Sequence, residues 1–88
     1  MHGNILYLPF PNPTNDGVIQ SYFIDIKRDL TMSVFDMNGK LMKTIFENQT
    51  HRPGNHKVEF EVGDLPAGNY FIRMSGKDFV LNRKLVKF

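Results

Sequence analysis

The sequence predicts an all-β domain, a small immunoglobulin-like antiparallel β-sandwich of about seven strands. Three observations support this class. Apolar and polar residues alternate with period two in several short segments. Turn signals recur roughly every 8–12 residues, and no long segment has apolar residues at helical spacing. The 88 residues form one domain, and because cysteine and tryptophan are both absent, the likeness to immunoglobulin domains is one of architecture.

The first two strands are separated by a proline-rich segment. Residues 5–8 are predicted to form a short strand that ends at residues 9–13, where three prolines interrupt the chain. Proline has no amide hydrogen to donate, so this segment is not expected in a central ladder. A turn at residues 14–17 then leads to a strand over 18–26. Its predicted inner face consists of Val18, Gln20, Tyr22, Ile24 and Ile26.

The next two strands are predicted to form a β-hairpin. Residues 30–36 and 41–46 both alternate with period two, and Asn38-Gly39 lies between them. This dipeptide is a strong hairpin signal because both central positions of a type I′ turn require a positive φ. The sequence therefore predicts a two-residue type I′ turn at this point.

The second half of the chain contains three further predicted strands. Residues 48–55 are polar and are predicted to form a loop around Pro53-Gly54. The strand at 57–62 alternates cleanly, with its inner face at Val58, Phe60 and Val62. A turn at 63–68 leads to a strand over 69–75, whose Tyr70 faces the core. Residues 79–88 are predicted to form a final edge strand.

The charge of the chain is concentrated at its C-terminal end. The formal net charge is +2. Residues 1–72 carry six Lys or Arg and eight Asp or Glu, a balance of −2, whereas residues 73–88 carry five and one, a balance of +4. Lys and Arg on an edge strand discourage unwanted pairing, and the same residues could be recognised by a partner; both interpretations stay open. No nucleic-acid patch and no membrane-spanning segment are expected, because the basic residues do not cover a broad aromatic surface and no apolar run approaches 18 residues.

No catalytic, metal or cofactor site is expected. His51 and His56 lack further ligands nearby in the sequence and are interpreted as solvent-exposed loop histidines. Glu59 and Glu61 lie side by side on one strand face, whereas a glycosidase needs two carboxyl groups facing each other across a sugar. The three serines do not lie in a nucleophile elbow. The sequence therefore favours a binding or signalling module over an enzyme.

Four sequence pieces, taken in order, resemble a known family. They are Pro11-Asn12-Pro13, the hairpin segment from Val34 to Lys40, the segment from Leu65 to Phe71, and the closing segment from Arg83 to Phe88. This series resembles the C-terminal sorting domains of the type IX (Por) secretion system of Bacteroidetes, type A group. Each piece alone occurs in many β-proteins, but all four in order and correctly spaced are specific. The resemblance covers Ile5 to Phe88.

The resemblance implies a non-catalytic signal domain that directs a larger cargo protein through an outer-membrane translocon. The implied partners are that translocon, a sortase-like peptidase and a covalently linked upstream cargo domain, with no cofactor. The implied route crosses the periplasm and the outer membrane to the cell surface or the medium. The family motifs map onto Pro11, Asn12, Pro13, Asn38, Gly39, Lys40, Gly68, Tyr70, Lys84, Leu85, Val86 and Lys87.

Two expectations concern the ends of the domain. Residues 1–4, including His2, are interpreted as added or linker residues, and residues 5–88 as the sorting domain. Because the turn positions serve the fold, we expect the segment that the translocon recognises, which we call the address, to lie at Arg83 to Phe88. This segment would dock as a strand through its free edge or end.

The competing interpretations are a carbohydrate-binding or adhesive β-sandwich module and a structural spacer. Sugar-binding faces usually expose Trp or Tyr. This chain has no Trp and only three Tyr, of which Tyr22 and Tyr70 fall on predicted core faces. This pattern argues against a carbohydrate-binding face.

Overall fold

The domain is a sandwich of two antiparallel β-sheets, as predicted. A computed structural model describes residues 3–88, so Met1 and His2, part of the predicted linker, lie outside the described residues. The strands are β1 (Ile5–Leu6), β2 (Gly17–Ile24), β3 (Arg28–Asp36), β4 (Leu41–His51), β5 (Gly54–Glu61), β6 (Gly68–Ser75) and β7 (Val80–Lys87). Residues 3–88 contain no helix that is long and apolar enough to cross a bilayer.

The core lies between a three-stranded and a four-stranded sheet. The strand orders are β1-β2-β5 and β4-β3-β6-β7. Successive side chains of a strand point to opposite faces, so each strand contributes alternate residues to the core. The fully buried apolar residues include Ile24, Leu30, Met32, Ile72, Met74 and Leu85. Burial of these side chains, each worth about 1.5–3 kcal/mol, holds the two sheets together without a disulfide.

The inner face predicted for the second strand is confirmed except at its last residue. Val18, Gln20, Tyr22 and Ile24 are buried. Ile26 is 55% exposed, because β2 ends at Ile24 and the chain turns towards β3. In this turn the carboxylate of Asp25 accepts a hydrogen bond from the N–H of Ile26 at 2.7 Å.

The proline-rich segment carries the chain from one sheet to the other. β1 is shorter than the predicted strand over 5–8, although Tyr7 N–H still donates to Ser21 O of β2 at 3.1 Å. Phe10 forms an antiparallel bridge with Ile19 of the three-stranded sheet. Thr14 then forms a parallel bridge with β7 of the four-stranded sheet. Prolines suit this crossing because proline has no backbone N–H, and a residue that passes between two sheets does not need one for a ladder hydrogen bond.

The predicted β3–β4 hairpin is confirmed, but the predicted turn type is wrong. Gly39 has φ +83°, whereas Asn38 does not have a positive φ. Gly39 N–H donates to Asp36 O, and Asp36 N–H donates to Lys40 O. This pattern makes Met37 to Gly39 a three-residue loop of type I with a bulge at glycine. The Asp36 carboxylate selects it by accepting bonds from the N–H groups of Asn38 and Lys40, each at 2.9 Å.

The polar loop predicted over residues 48–55 is also wrong. β4 continues to His51 and β5 begins at Gly54, which leaves Arg52 and Pro53 as the connection. The strands are extended by pairing with partners that the local sequence does not reveal: His51 pairs with Arg28 of β3, and Gly54 pairs with Ile24 of β2.

Candidate functional site

The outer edge of the last strand is covered by the proline-rich segment. β7 is one of the two edge strands of its sheet and pairs with β6 on its inner side. On the outer side, the Asn12 side-chain amide donates to Lys84 O at 3.0 Å, and its oxygen accepts from Val86 N–H at 2.8 Å. We refer to Asn12–Thr14 and the backbone that it binds in Lys84–Phe88 as the edge clasp. One asparagine therefore satisfies two exposed backbone groups of an edge strand.

Thr14 provides the backbone half of the edge clasp. Its N–H donates to Val86 O and its carbonyl accepts from Phe88 N–H, both at 2.9 Å. The Thr14 side chain is buried and donates to Gly17 O at 2.7 Å. It also accepts a bond from Asp16 N–H at 3.2 Å. The turn that follows the prolines thus holds Thr14 in the position that pairs with β7.

The tail strand, Arg83–Phe88, is part of the folded core as well as of the surface. Leu85 is fully buried, whereas Lys84 and Phe88 are exposed. Arg83 Nε donates to Leu6 O of β1 at 2.6 Å and so links the two sheets. The sequence hypothesis of a free edge must therefore be corrected for Lys84 to Phe88: the outer edge of this stretch is already bonded to Asn12 and Thr14.

Gly68 and Tyr70 meet the tail strand from its inner side. Gly68 pairs with Lys87 and Tyr70 pairs with Leu85. Tyr70 is buried, and its hydroxyl donates to Pro66 O four residues earlier. This arrangement corresponds to the tyrosine corner of immunoglobulin-like sandwiches. Both residues therefore position the start of β6 against the tail strand.

The hairpin loop that contains Asn38 and Gly39, followed by Lys40, lies at the end of the four-stranded sheet where β6 begins. β3 reaches this end at Asp36, which pairs with Tyr70 of β6. β7 also ends there, at Lys87 beside Gly68. The register therefore brings the motif segments of β3, β6 and β7 to one end of one sheet, with the edge clasp on its outer side. The loop itself forms no side-chain hydrogen bond to the tail within residues 3–88.

The two histidines are not exposed loop residues, which corrects the sequence interpretation. His51 is only 7% exposed. Its Nδ1–H donates to Gln49 O at 2.9 Å, so its Nε2 accepts from the Tyr22 hydroxyl at 2.7 Å. Burial raises the pKa of Tyr22 to about 12. His56 is half-buried and stacks on Tyr22, with ring centroids 5.4 Å apart.

Tyr22, His51 and His56 form an aromatic cluster, which closes the end of the sandwich where β4 passes into β5. His56 Nε2 donates to Arg52 O at 2.7 Å. No group of three or more His, Cys, Asp or Glu side chains in the described chain could hold a metal ion. The partial burial of His56 was predictable from the sequence, because His56 lies two residues before Val58 and therefore on the same, inner face of β5.

The other residues considered for chemistry or sugar binding do not form a site. Glu59 and Glu61 are exposed neighbours on the outer face of β5. Tyr22 and Tyr70 are buried as predicted, so neither ring can serve as a sugar platform. The end of the four-stranded sheet, where the predicted motif segments of β3, β6 and β7 meet, therefore remains the candidate site.

Comparison with known protein families gives a match over most of the chain. The family model of the secretion system C-terminal sorting domain matches residues 9–87. This range contains all twelve motif residues. Searches among curated proteins and among solved structures found no significant match.

Proposed function

Because the chain belongs to the secretion system C-terminal sorting domain family, we propose that its edge clasp and tail strand together form the address. The domain is a sorting signal of type IX secretion, which directs a larger protein to release or to surface attachment. The observation that supports this location is the bonding of Asn12 to Lys84 and Val86. Two motif segments that are 72 or more residues apart thereby form one surface.

The edge clasp restricts how a partner can bind the tail strand. A translocon strand could add along Lys84 to Phe88 only after displacing Asn12 and Thr14. We therefore propose that the outer-membrane translocon contacts the exposed side chains and the end of the tail strand. Phe88 is 64% exposed, and Lys84 projects from the sheet. The clasp would hold these groups in a fixed orientation, which lowers the entropic cost of binding.

The partners of the domain follow from this role. It interacts with the type IX secretion system as part of a larger exported protein. We propose that the direct partners are the outer-membrane translocon and, after translocation, a sortase-like peptidase that acts upstream of the domain. The route would cross the periplasm before the outer membrane. The family is one of sorting signals, and we propose no catalytic role for the chain.

The first test is export of a periplasmic fluorescent reporter that carries the 88-residue chain at its C-terminus. In a type IX-competent Bacteroidetes host, we expect the reporter at the cell surface or in the medium. Asn12→Ala should lower export because it removes both side-chain bonds of the edge clasp. Asn15→Ala is the matched control, since Asn15 is exposed and has no side-chain hydrogen bond to residues 3–88. Retention of the folded wild-type fusion in the periplasm would contradict the sorting function in that host.

A second variant separates the address from the fold. Phe88→Ala removes a ring of a residue that is 64% exposed, so the thermal midpoint of the domain should stay within a few degrees of the wild type, while export should fall. If Phe88→Ala and Asn12→Ala are both exported like the wild type, the address does not lie at the edge clasp, although the sorting role would stand.

A further inference from the structure

The outer face of the four-stranded sheet carries two phenylalanines and two cations at adjacent positions. Phe35 of β3 pairs with Phe71 of β6, which pairs with Lys84 of β7. Arg73 lies two residues after Phe71 on the same face. The neighbouring residues Val34, Ile72 and Leu85 point into the core. We call the residues Phe35, Phe71, Arg73 and Lys84 the aromatic-basic face.

Arg73 is held in place on this face. Its guanidinium lies 4.4 Å from the centroid of the Phe35 ring, within the range of a cation–π contact. Its Nε donates to Asn82 Oδ1 at 3.0 Å. These two contacts restrict the side chain while leaving its terminal amino groups available for a planar, bidentate partner such as a carboxylate.

The charge on this face is not neutralised by the domain. The ion pairs among residues 3–88 use Arg28 and Lys43, and neither Arg73 nor Lys84 forms one. The residues of β6 and β7 on the outer face include no carboxylate: they are Asn69, Phe71, Arg73, Ser75, Val80, Asn82, Lys84 and Val86. By contrast, Glu59 and Glu61 lie on the outer face of the opposite sheet. The outer face of β6 and β7 therefore carries two cations and no carboxylate, whereas that of β5 carries two carboxylates and one cation, Lys57.

We infer that the aromatic-basic face docks an acidic, partly apolar segment of a protein partner. The two cations fit carboxylates, and the half-buried rings offer apolar contact between them. A protein segment is favoured over a glycan because phenylalanine has no polar group with which to orient sugar hydroxyls. The setting of this docking, in the secretion machinery, rests on the proposed function; the binding itself does not.

The binding test uses the isotope-labelled 88-residue chain and a defined probe. The probe is an acetylated and amidated Glu-Leu-Glu-Leu-Glu peptide, titrated by NMR at low ionic strength. We expect shifts centred on β6, β7 and Phe35, weakened by added salt because exposed charges are screened. Arg73→Glu combined with Lys84→Glu should raise the dissociation constant by roughly tenfold or more. The control Lys27→Glu with Lys57→Glu makes the same charge change elsewhere and should leave it unchanged.

Three results with the peptide would overturn the inference, and one result with a glycan would do so as well. The peptide results are an absence of shifts at millimolar peptide, shifts centred on Lys57 and β5, and equal weakening by both double variants. Tighter binding of polygalacturonate than of the peptide would also overturn it, because the face would then prefer a glycan. Thermal unfolding of each variant checks that the fold is retained.

Export of the reporter fusion distinguishes the two proposals. Arg73→Glu is used alone, since Arg73 lies outside the edge clasp and the tail strand. If the wild-type fusion is exported and the Arg73→Glu fusion is exported less, docking at this face is supported. If both are exported equally, the setting of the docking in the secretion machinery is overturned and the sorting function stands. If the folded wild-type fusion stays in the periplasm, the sorting function fails, and the peptide titration decides the inference by itself.

Discussion

At the scale of single residues, the motif side chains act first on the fold. Tyr70 has its ring in the core and its hydroxyl on Pro66 O, so the residue fixes the corner that leads into β6. Asn12 has the complementary role on the surface, where one amide satisfies the exposed backbone of β7 at two points. The predicted motif residues thus include buried residues that build the domain and exposed residues on its surface, and substitutions must separate the two.

The tyrosine corner gives the first prediction. Tyr70→Phe should lower the free energy of unfolding by about 1 kcal/mol, because a single intramolecular hydrogen bond is lost while the ring stays packed. Tyr7→Phe is the control, since the Tyr7 side chain is exposed and forms no hydrogen bond with residues 3–88. Urea unfolding measures both. An unchanged unfolding midpoint in Tyr70→Phe would contradict the structural role of this hydroxyl.

Asp25 gives a prediction about acid stability. Burial of its carboxylate acts to raise its pKa, but hydrogen bonds from Arg28 and from Ile26 N–H outweigh burial, so the pKa lies below its ordinary value. A group whose folded pKa is lowered contributes stability above its unfolded pKa and loses it as the pH falls further. The loss therefore begins near pH 4 and continues below it.

The variant Asp25→Asn tests this contribution. It should be less stable than the wild type at pH 6 and should lose less stability between pH 5 and pH 3, as measured by urea midpoints at each pH. Glu59→Gln, an exposed residue without an ion pair among residues 3–88, should retain the wild-type pH dependence. Parallel curves for the wild type and Asp25→Asn would show that the ion pair with Arg28 does not contribute.

At the scale of elements, the β3–β4 hairpin depends on one glycine and one aspartate. Gly39 adopts φ +83° at the bulge, and the Asp36 carboxylate accepts bonds from two backbone N–H groups of the loop. This combination favours a three-residue loop over the two-residue turn that Asn38-Gly39 predicts. The pairing of the hairpin was thus predictable from Asn38-Gly39, whereas the type of loop depends on the side chain of Asp36.

The glycine can be tested with a matched pair of substitutions. A Cβ at Gly39 or at Gly17 would meet no atom within 4 Å, and of these two glycines Gly39 alone has a positive φ. Gly39→Ala should therefore cost about 1–2 kcal/mol through backbone strain alone. Gly17→Ala should be neutral or slightly stabilising, since it restricts the unfolded chain. Equal unfolding midpoints for the two variants, by thermal or urea unfolding, would contradict the turn assignment.

At the scale of the whole molecule, the tail strand cannot be removed without affecting the fold. Leu85 is fully buried, Gly68 pairs with Lys87, and the edge clasp ends on Phe88. Loss of one buried leucine side chain costs about 2–5 kcal/mol, whereas a domain of this size has a stability of only about 5–15 kcal/mol. Loss of export after truncation would therefore not by itself locate the address.

The truncation has its own expected outcome. Deletion of Lys84 to Phe88 should abolish cooperative thermal unfolding and collapse the dispersion of the amide NMR spectrum. The single variant Phe88→Ala should retain both, since this ring is exposed. Cooperative unfolding of the truncated chain within a few degrees of the wild type would show that β7 is an appendage rather than part of the core.

The parts of the fold that were predictable depend on local periodicity and on special residues. Alternation placed Val18, Tyr22 and Ile24 on the inner face of β2, and the four ordered motifs indicated the family. The assignment of the motif residues stays a prediction, made from short patterns that are independent of how the sheets meet. Their roles within the domain were not predictable, since those depend on partners elsewhere in the chain.

The sequence by itself determined the inner faces of β2 and of residues 58–62, the pairing of the hairpin and the family. Tertiary structure alone decided that Asn12 binds Val86, 74 residues away, and that His51 is buried against Tyr22. It also decided that Phe35, Phe71, Arg73 and Lys84 are neighbours. The reason is physical: period-two alternation reports which face of a strand is buried, a local property. The neighbours of each strand depend on the order and register of the sheets, which follow from packing of the whole chain.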